Sequence, residues 1–250
     1  MSRKHPIVFI CSVMAEAAPL HALLTRPEPA RIGRREAWRG TLDDRAVIVL
    51  PGGMGKTNAA QALTAVLESE SAAAVIGFGV GGAYPGSGLD VGSIAIATEE
   101  TYGDEGVDTP DGWISTEGIG IPLLETGTGR IFNRFPLDAG LIRAAGEALQ
   151  AAELPFRAGG FLTVSSCSGT HRRGLELAAR FGAICETMEG AAYAHVAAVY
   201  ERPFLEVRGI SNLVEDRDLA RWRIDAATRI AAAAAARVSR IFMDDARDEN

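Results

Sequence analysis

EGAAYAHVAAVYERPFLEVRGISN, running from Glu189 to Asn212, reads as a helix followed by a strand. Small and apolar residues recur at helical spacing from Glu189 to Glu201; Pro203 cannot continue a helix, and Phe204 to Ile210 is a short run of strand-forming residues. The same alternation extends outward in both directions. Ile7 to Cys11, Ala46 to Leu50, Ala73 to Phe78, Ser93 to Ala97 and Gly160 to Val164 read as strands. Lys56 to Glu68, Asp138 to Ala152, His171 to Phe181 and a closing segment from about Leu219 to Phe242 carry helical periodicity. Mostly continuous apolar strands are covered on both faces, so the fold expected is α/β, a three-layer α/β/α sandwich around a central mixed, largely parallel sheet. Ligands of such sheets sit where loops leave the carboxyl ends of strands.

With 250 residues, 47% hydrophobic and 23% charged, the chain is long enough to bury one large core. Residues 1–243 are expected to form one domain, and 244–250 a charged, frayed tail. Thr101 to Phe135, rich in Gly and Thr, reads as loops. A net charge of -7 argues against nucleic acid as a partner, because phosphates are repelled where no basic face gathers. Three cysteines, Cys11, Cys167 and Cys185, show neither disulfide nor zinc-ligand spacing, so no metal is expected and a cytoplasmic setting is. The apolar run Ile7 to Val13 before Ala15-Glu16-Ala17 imitates a signal peptide, but it is at the short limit for one and reads better as a first buried strand. No apolar run is long enough for a membrane helix.

Two glycine loops follow strands. Pro51-Gly52-Gly53-Met54-Gly55-Lys56-Thr57 ends like a phosphate-binding P-loop, yet Leu50 stands where the first glycine belongs, so a tight turn feeding a helix is favoured. Gly77-Phe78-Gly79-Val80-Gly81-Gly82-Ala83 allows a ligand to approach the backbone.

The specific signal is Glu186-Thr187-Met188-Glu189-Gly190-Ala191-Ala192 followed by Arg208-Gly209-Ile210-Ser211-Asn212. A small-residue helix opened by Met-Glu, then a strand ending Arg-x-Ile-Ser-Asn, resembles the purine nucleoside phosphorylase and nucleosidase superfamily. Within it the likeness is to methylthioadenosine/S-adenosylhomocysteine nucleosidases and, more closely, to the futalosine hydrolases of menaquinone biosynthesis. The resemblance implies that Met188 and Glu189 bind the ribose, that Glu16 is the catalytic carboxylate, and that Asn212 stands where the methylthioadenosine enzymes carry Asp. It also implies base-binding roles for Gly81, Gly82 and Ser168-Gly169-Thr170. No aromatic residue stands at the position where those nucleosidases stack one on the base. Tyr102-Gly103-Asp104-Glu105-Gly106 shares the likeness without an evident chemical role.

Asn at position 212 carries chemical information. An adenine leaves best when N7 is protonated, a task for a carboxylic acid; Asn has no proton to give, but its NH₂ donates to N7 and O6 of a hypoxanthine anion. Water rather than phosphate is the expected nucleophile, because the loop Ser12 to Ala18 has no Arg, Gly77 to Ala83 has neither hydroxyl nor cation, and Glu16 repels a dianion. Read without the resemblance, Glu16 opens a helix at Ala15 to Leu24 and Asn212 caps a turn. The carboxylated aromatic tail of futalosine calls for a cation and an aromatic shelf, which Arg217, Arg221, Arg223 and Trp222 offer. His195 reads as a packed rather than a catalytic residue, His171 calls for the same caution, and Cys167 reads as an inert thiol. The reading is therefore a cofactor-independent enzyme that takes a purine nucleoside and water, as a homodimer or higher homo-oligomer. The alternatives are a methylthioadenosine/S-adenosylhomocysteine or aminodeoxyfutalosine nucleosidase, and, remotely, a non-catalytic nucleoside-binding protein.

Overall fold

The computed structural model describes residues 5–127 and 129–242; the tail expected at 244–250 lies outside them. The chain opens with β1 (Ile7–Cys11), α1 (Met14–His21), an antiparallel run of β2 (Thr25–Ile32), β3 (Arg35–Leu42) and β4 (Arg45–Pro51), then α2 (Lys56–Ser69) and β5 (Ala74–Ala83). β6 (Ile94–Tyr102) leads into two hairpins, β7 (Gly106–Thr109) with β8 (Gly112–Ser115) and β9 (Leu124–Thr126) with β10 (Gly129–Ile131), and then β11 (Arg134–Pro136). The remainder is α3 (Ala139–Gln150), β12 (Phe156–Thr163), α4 (His171–Phe181), β13 (Cys185–Thr187), α5 (Gly190–Val199), β14 (Phe204–Leu213) and α6 (Ile224–Val238).

All five residues of β1 are buried, and the pleat divides them. Ile7, Phe9 and Cys11 pack with α1, α3 and α6; Val8 and Ile10 pack with α2 and α5. Two helical layers on one mixed sheet make the three-layer sandwich expected of these strands. β1 lies parallel between β4 and β5, and β14 runs parallel to β5, so several strands deliver their carboxyl ends to the same side.

Closure of part of this sheet is not visible in the periodicity. β5, β14, β6, β12 and β13 pair successively, and β13 returns to β5. Register breaks between Gly159 and Gly160 and between Ile210 and Asn212 bend the strands as closure requires. The second break lies at Ser211 and re-aims Asn212.

Three sequence expectations are corrected. β2 was missed because Pro27 and Pro29 and a mostly exposed face disguise it, which only an edge strand tolerates. The segment 101–135 holds two hairpins and an edge strand rather than loops. The closing helix is broken: Leu219–Arg221 forms one turn capped by Asp218, Trp222 is extended, α6 starts at Ile224, and Ser239–Phe242 tightens the end. No helix among the described residues is long and apolar enough to cross a membrane.

Candidate active site

Where β1, β5 and β14 end, a cavity of about 330 Å³ opens, near the lower end of ordinary small-ligand pockets. Glu16 does begin a helix, since it lies in the first turn of α1, and its carboxylate also lines this cavity. Four donors hold it. Ser12 N–H at 2.9 Å, the Ser12 hydroxyl at 2.6 Å and Val13 N–H at 3.2 Å donate to Oε2, and Val80 N–H donates to Oε1 at 2.8 Å. The contact from β5 needs glycine at the preceding residue: Gly79 has φ of +149°, and a Cβ there would stand 2.4 Å from Glu16 Oε1. Gly79→Ala is therefore expected to displace the carboxylate and lower kcat at least tenfold with the fold retained; unchanged kcat by steady-state assay would show that Glu16 tolerates the shift.

Opposite stands Glu189, which with Met188 ends the connection from β13 into α5. Its Oε1 accepts from Gly55 N–H at 2.8 Å, so the turn that imitates a P-loop serves to orient a carboxylate. Lys56, the residue such a loop would place on phosphate, is bound instead by Asp104 and Glu105, each at 2.7 Å. Asp104 also accepts from Ser165 N–H at 2.7 Å. The Tyr102 to Gly106 segment is thus a clamp joining this turn to the loop after β12.

Asn212 enters the same cavity with its amide orientation set by neighbours. The Ser211 hydroxyl donates to Oδ1 at 2.8 Å, and Nδ2 donates to Leu213 C=O at 3.0 Å, leaving one N–H for a ligand. Gly81, Gly82 and Ser168 also line the space, but Ser168 N–H and Oγ are engaged by Glu186 at 2.8 and 2.6 Å. Gly169 and Thr170 do not line it; Thr170 caps α4, its hydroxyl accepting from Arg173 N–H at 3.2 Å. Of the four tail candidates two reach the cavity. Arg217 stacks over Trp222 at 4.7 Å and, among the described residues, has no ion-pair partner. Arg221 pairs with Glu215 at 2.6 Å and Arg223 bonds to backbone carbonyls; both face an adjoining cavity of about 460 Å³ that shares Asn212 and Trp222.

Residues 6–244 match the phosphorylase superfamily. The chain belongs to the phosphorylase superfamily. It is 38% identical over 187 residues to a futalosine hydrolase of Thermus thermophilus, which covers 75% of this chain and 78% of that one. A methylthioadenosine/S-adenosylhomocysteine nucleosidase of Bacillus cereus is 29% identical over 209 residues, covering 83% of this chain and 85% of that one. Among solved structures, the corresponding nucleosidase of S. pneumoniae with a transition-state inhibitor superposes with a TM-score of 0.80 at 22% identity over 94% of this chain and 99% of that one, which speaks to the fold.

In this superfamily member the site also contains residues that sequence reasoning passed over. Arg208 is 1% exposed, donates from Nη1 to Val80 C=O at 3.1 Å, and places Nη2 3.7 Å from Glu189 Oε2. An arginine in a strand reads as a solvent-facing residue; Glu206 two residues before Arg208, on the same strand face, was the available signal. Glu186 accepts from Tyr84 OH at 2.8 Å as well as from Ser168, which pins the loop after β12. Cys167 at the rim stays a neutral thiol, pushed up to about 11 by burial and by Glu186 and Glu189. His195 lies against Phe135 and Tyr102, outside the cavity lining, and His171 opens α4. Among the described residues no group of three His, Cys, Asp or Glu side chains is placed to hold a metal.

Burial raises the Glu189 carboxyl above its ordinary range, with Arg208 and Gly55 N–H opposing and Glu16 adding to the rise. A carboxyl that binds its proton more tightly when folded favours folding below its unfolded range and loses that contribution as pH climbs through the folded one. Glu189→Gln is accordingly expected to raise Tm at pH 7, flatten the decline of Tm as pH rises above the ordinary carboxylate range of about 4, and raise KM. A lower Tm at pH 7 by calorimetry would contradict it.

Proposed function

We propose that this chain, a nucleosidase, hydrolyses the N-glycosidic bond of futalosine, releasing hypoxanthine and dehypoxanthine futalosine. The observation that carries the reading is an amide, held by Ser211 with one N–H free, facing a four-times-anchored carboxylate across one cavity. Among the described residues Glu16 Oε1 has a single donor, so a lone pair remains to take a proton from water as it attacks C1′. Glu189 Oε2 accepts the ribose hydroxyls, with Met188 against the sugar. The free Asn212 N–H stabilises charge developing on the leaving purine, at N7 or at O6. Because the other N–H is taken by Leu213, this amide donates to one of the two atoms, not to both. Arg217 on Trp222 offers the tail carboxylate a cation and the aromatic ring a shelf. The higher identity to futalosine hydrolases, 38% against 29% for the methylthioadenosine enzymes, supports the same substrate. A ten-stranded sheet built from both halves of the chain supports one domain, three free cysteines support a cytoplasmic setting, and the superfamily likeness supports a homodimer or larger assembly.

The test is incubation of purified protein with futalosine, inosine and methylthioadenosine, with and without phosphate, followed by chromatography of bases and sugars. Hypoxanthine from futalosine at a rate independent of phosphate is expected. Faster adenine release from methylthioadenosine would move the substrate to the runner-up, a sugar phosphate would overturn hydrolysis, and bound nucleoside with no base released over hours would leave a binding protein.

A further inference from the structure

Behind Arg208, on the side away from the cavity, two carboxyl groups meet in the core. Glu206 on β14 and Glu100 on β6 are both 0% exposed, and neither lines the cavity. Glu206 Oε1 accepts from Arg208 Nε at 2.7 Å. Glu206 Oε2 and Glu100 Oε1 are buried and have no hydrogen-bond partner among the described residues, and the two carboxyls lie near enough to act on each other. Carboxylate oxygens only accept, so two neighbouring carboxyls without another donor can bond to each other only by sharing a proton. Two adjacent ionised carboxylates in an interior with a single guanidinium would leave one charge uncompensated. Room for the pair comes from glycine: a Cβ at Gly190 would lie 2.4 Å from Glu100 Oε2, and one at Gly77 2.9 Å from Glu206 Oε2.

The arginine so held is tied to both carboxylates of the cavity. Nη1 binds Val80 C=O, the residue whose N–H holds Glu16, while Nη2 lies beside Glu189 and has no hydrogen-bond partner among the described residues. We propose that Glu206 and Glu100 are positioning residues: Glu100, un-ionised, gives its proton to a bond with Glu206, and ionised Glu206 fixes Arg208 so that Nη2 and Val80 face the reacting centre. One negative charge behind the guanidinium, rather than two, keeps Nη2 turned toward Glu189 instead of drawn back into the core. The charged and titratable groups around the pair are Arg208 and Glu16, with Tyr102 facing Glu100 and Glu189, Tyr193 and Cys185 facing the guanidinium or Glu206. Burial raises the Glu100 carboxyl well above its ordinary range, with Glu206 adding to the rise, in line with a neutral acid there.

The inference rests on the nucleosidase reading for its kinetic arm and is independent of it for its spectroscopic arm. Glu100→Gln copies the shape and neutrality of the protonated acid and still donates to Glu206; kcat and KM are expected within about threefold of wild type. Glu206→Gln removes the charge that orients Arg208; kcat is expected to fall roughly tenfold to a hundredfold with KM within about threefold, a split that general destabilisation does not produce. Infrared difference spectra at about pH 8 should show the carbonyl stretch of an un-ionised carboxylic acid in wild type and its loss in Glu100→Gln. The proposal is overturned by absence of that band in wild type, by Glu100→Gln losing as much activity as Glu206→Gln, or by Glu206→Gln keeping its kcat. If Glu206→Gln does not fold, the spectra of the other two proteins decide alone. If wild type releases no hypoxanthine from futalosine, the substrate reading falls, while the band still tests the shared proton.

Discussion

Glu16→Gln is expected to lower kcat for hypoxanthine release by about 10² to 10⁴, the usual range for loss of a general base, with little change in KM. Gln has the same shape, so the cavity survives, but one end of its side chain becomes a donor. That end must face either Val80 N–H, which now donates to Oε1, or the Ser12 and Val13 groups that now donate to Oε2. A donor set against a donor costs on the order of 1–3 kcal/mol, so a modest fall in Tm is expected alongside the kinetic loss. The two effects separate by measuring kcat well below the new Tm. Retention of more than a tenth of wild-type kcat there would remove Glu16 from the role of base.

The second large effect concerns the leaving group. Asn212→Asp is expected to raise kcat/KM for a 6-amino substrate such as aminodeoxyfutalosine relative to futalosine by about a hundredfold, short of the roughly 10⁴ to 10⁵ by which a site built to hydrogen-bond one polar group rejects an analogue lacking it. Asp at this position would meet the Leu213 carbonyl, which now accepts from Nδ2 at 3.0 Å. Two acceptors in contact repel, and the contact is relieved when the carboxyl keeps a proton. The variant therefore holds an acid next to the base, which is what protonation at N7 requires. Competition between the two nucleosides in one reaction gives the ratio directly. A ratio unchanged within about threefold would mean that residue 212 does not discriminate the 6-substituent.

Several of these residues are legible in the sequence because their spacing is local. Met188-Glu189 opens α5 and Ser211-Asn212 closes β14, and each pair belongs to one junction between elements. Gly55 is legible as a glycine at a turn, whereas Gly79, expected in a loop over Gly77 to Ala83, lies inside β5, which runs on to Ala83; their partners, Glu189 and Glu16, lie far along the chain. Arg208, Glu206 and Glu100 were not legible as a unit. Charged residues in strands ordinarily face water, and the desolvation that makes these three informative exists only once β6 and β14 pair. The residues of Ser168-Gly169-Thr170, expected to act as one base-binding unit, part company: Ser168 turns inward to Glu186 and Thr170 caps a helix. Trp222 supplies an aromatic to the cavity from a break in the closing helix that uniform helical periodicity concealed.

Local periodicity and chain chemistry by themselves determined the layered α/β architecture, the buried central strands and the junctions where the polar side chains sit, because these depend on neighbours a few residues apart. Only the tertiary structure decided which way those side chains face. Closing β5, β14, β6, β12 and β13 into a ring brings residues a hundred or more positions apart into a dry interior. There each hydrogen bond must be met by another part of the chain, and orientation follows from the partner that packing supplies.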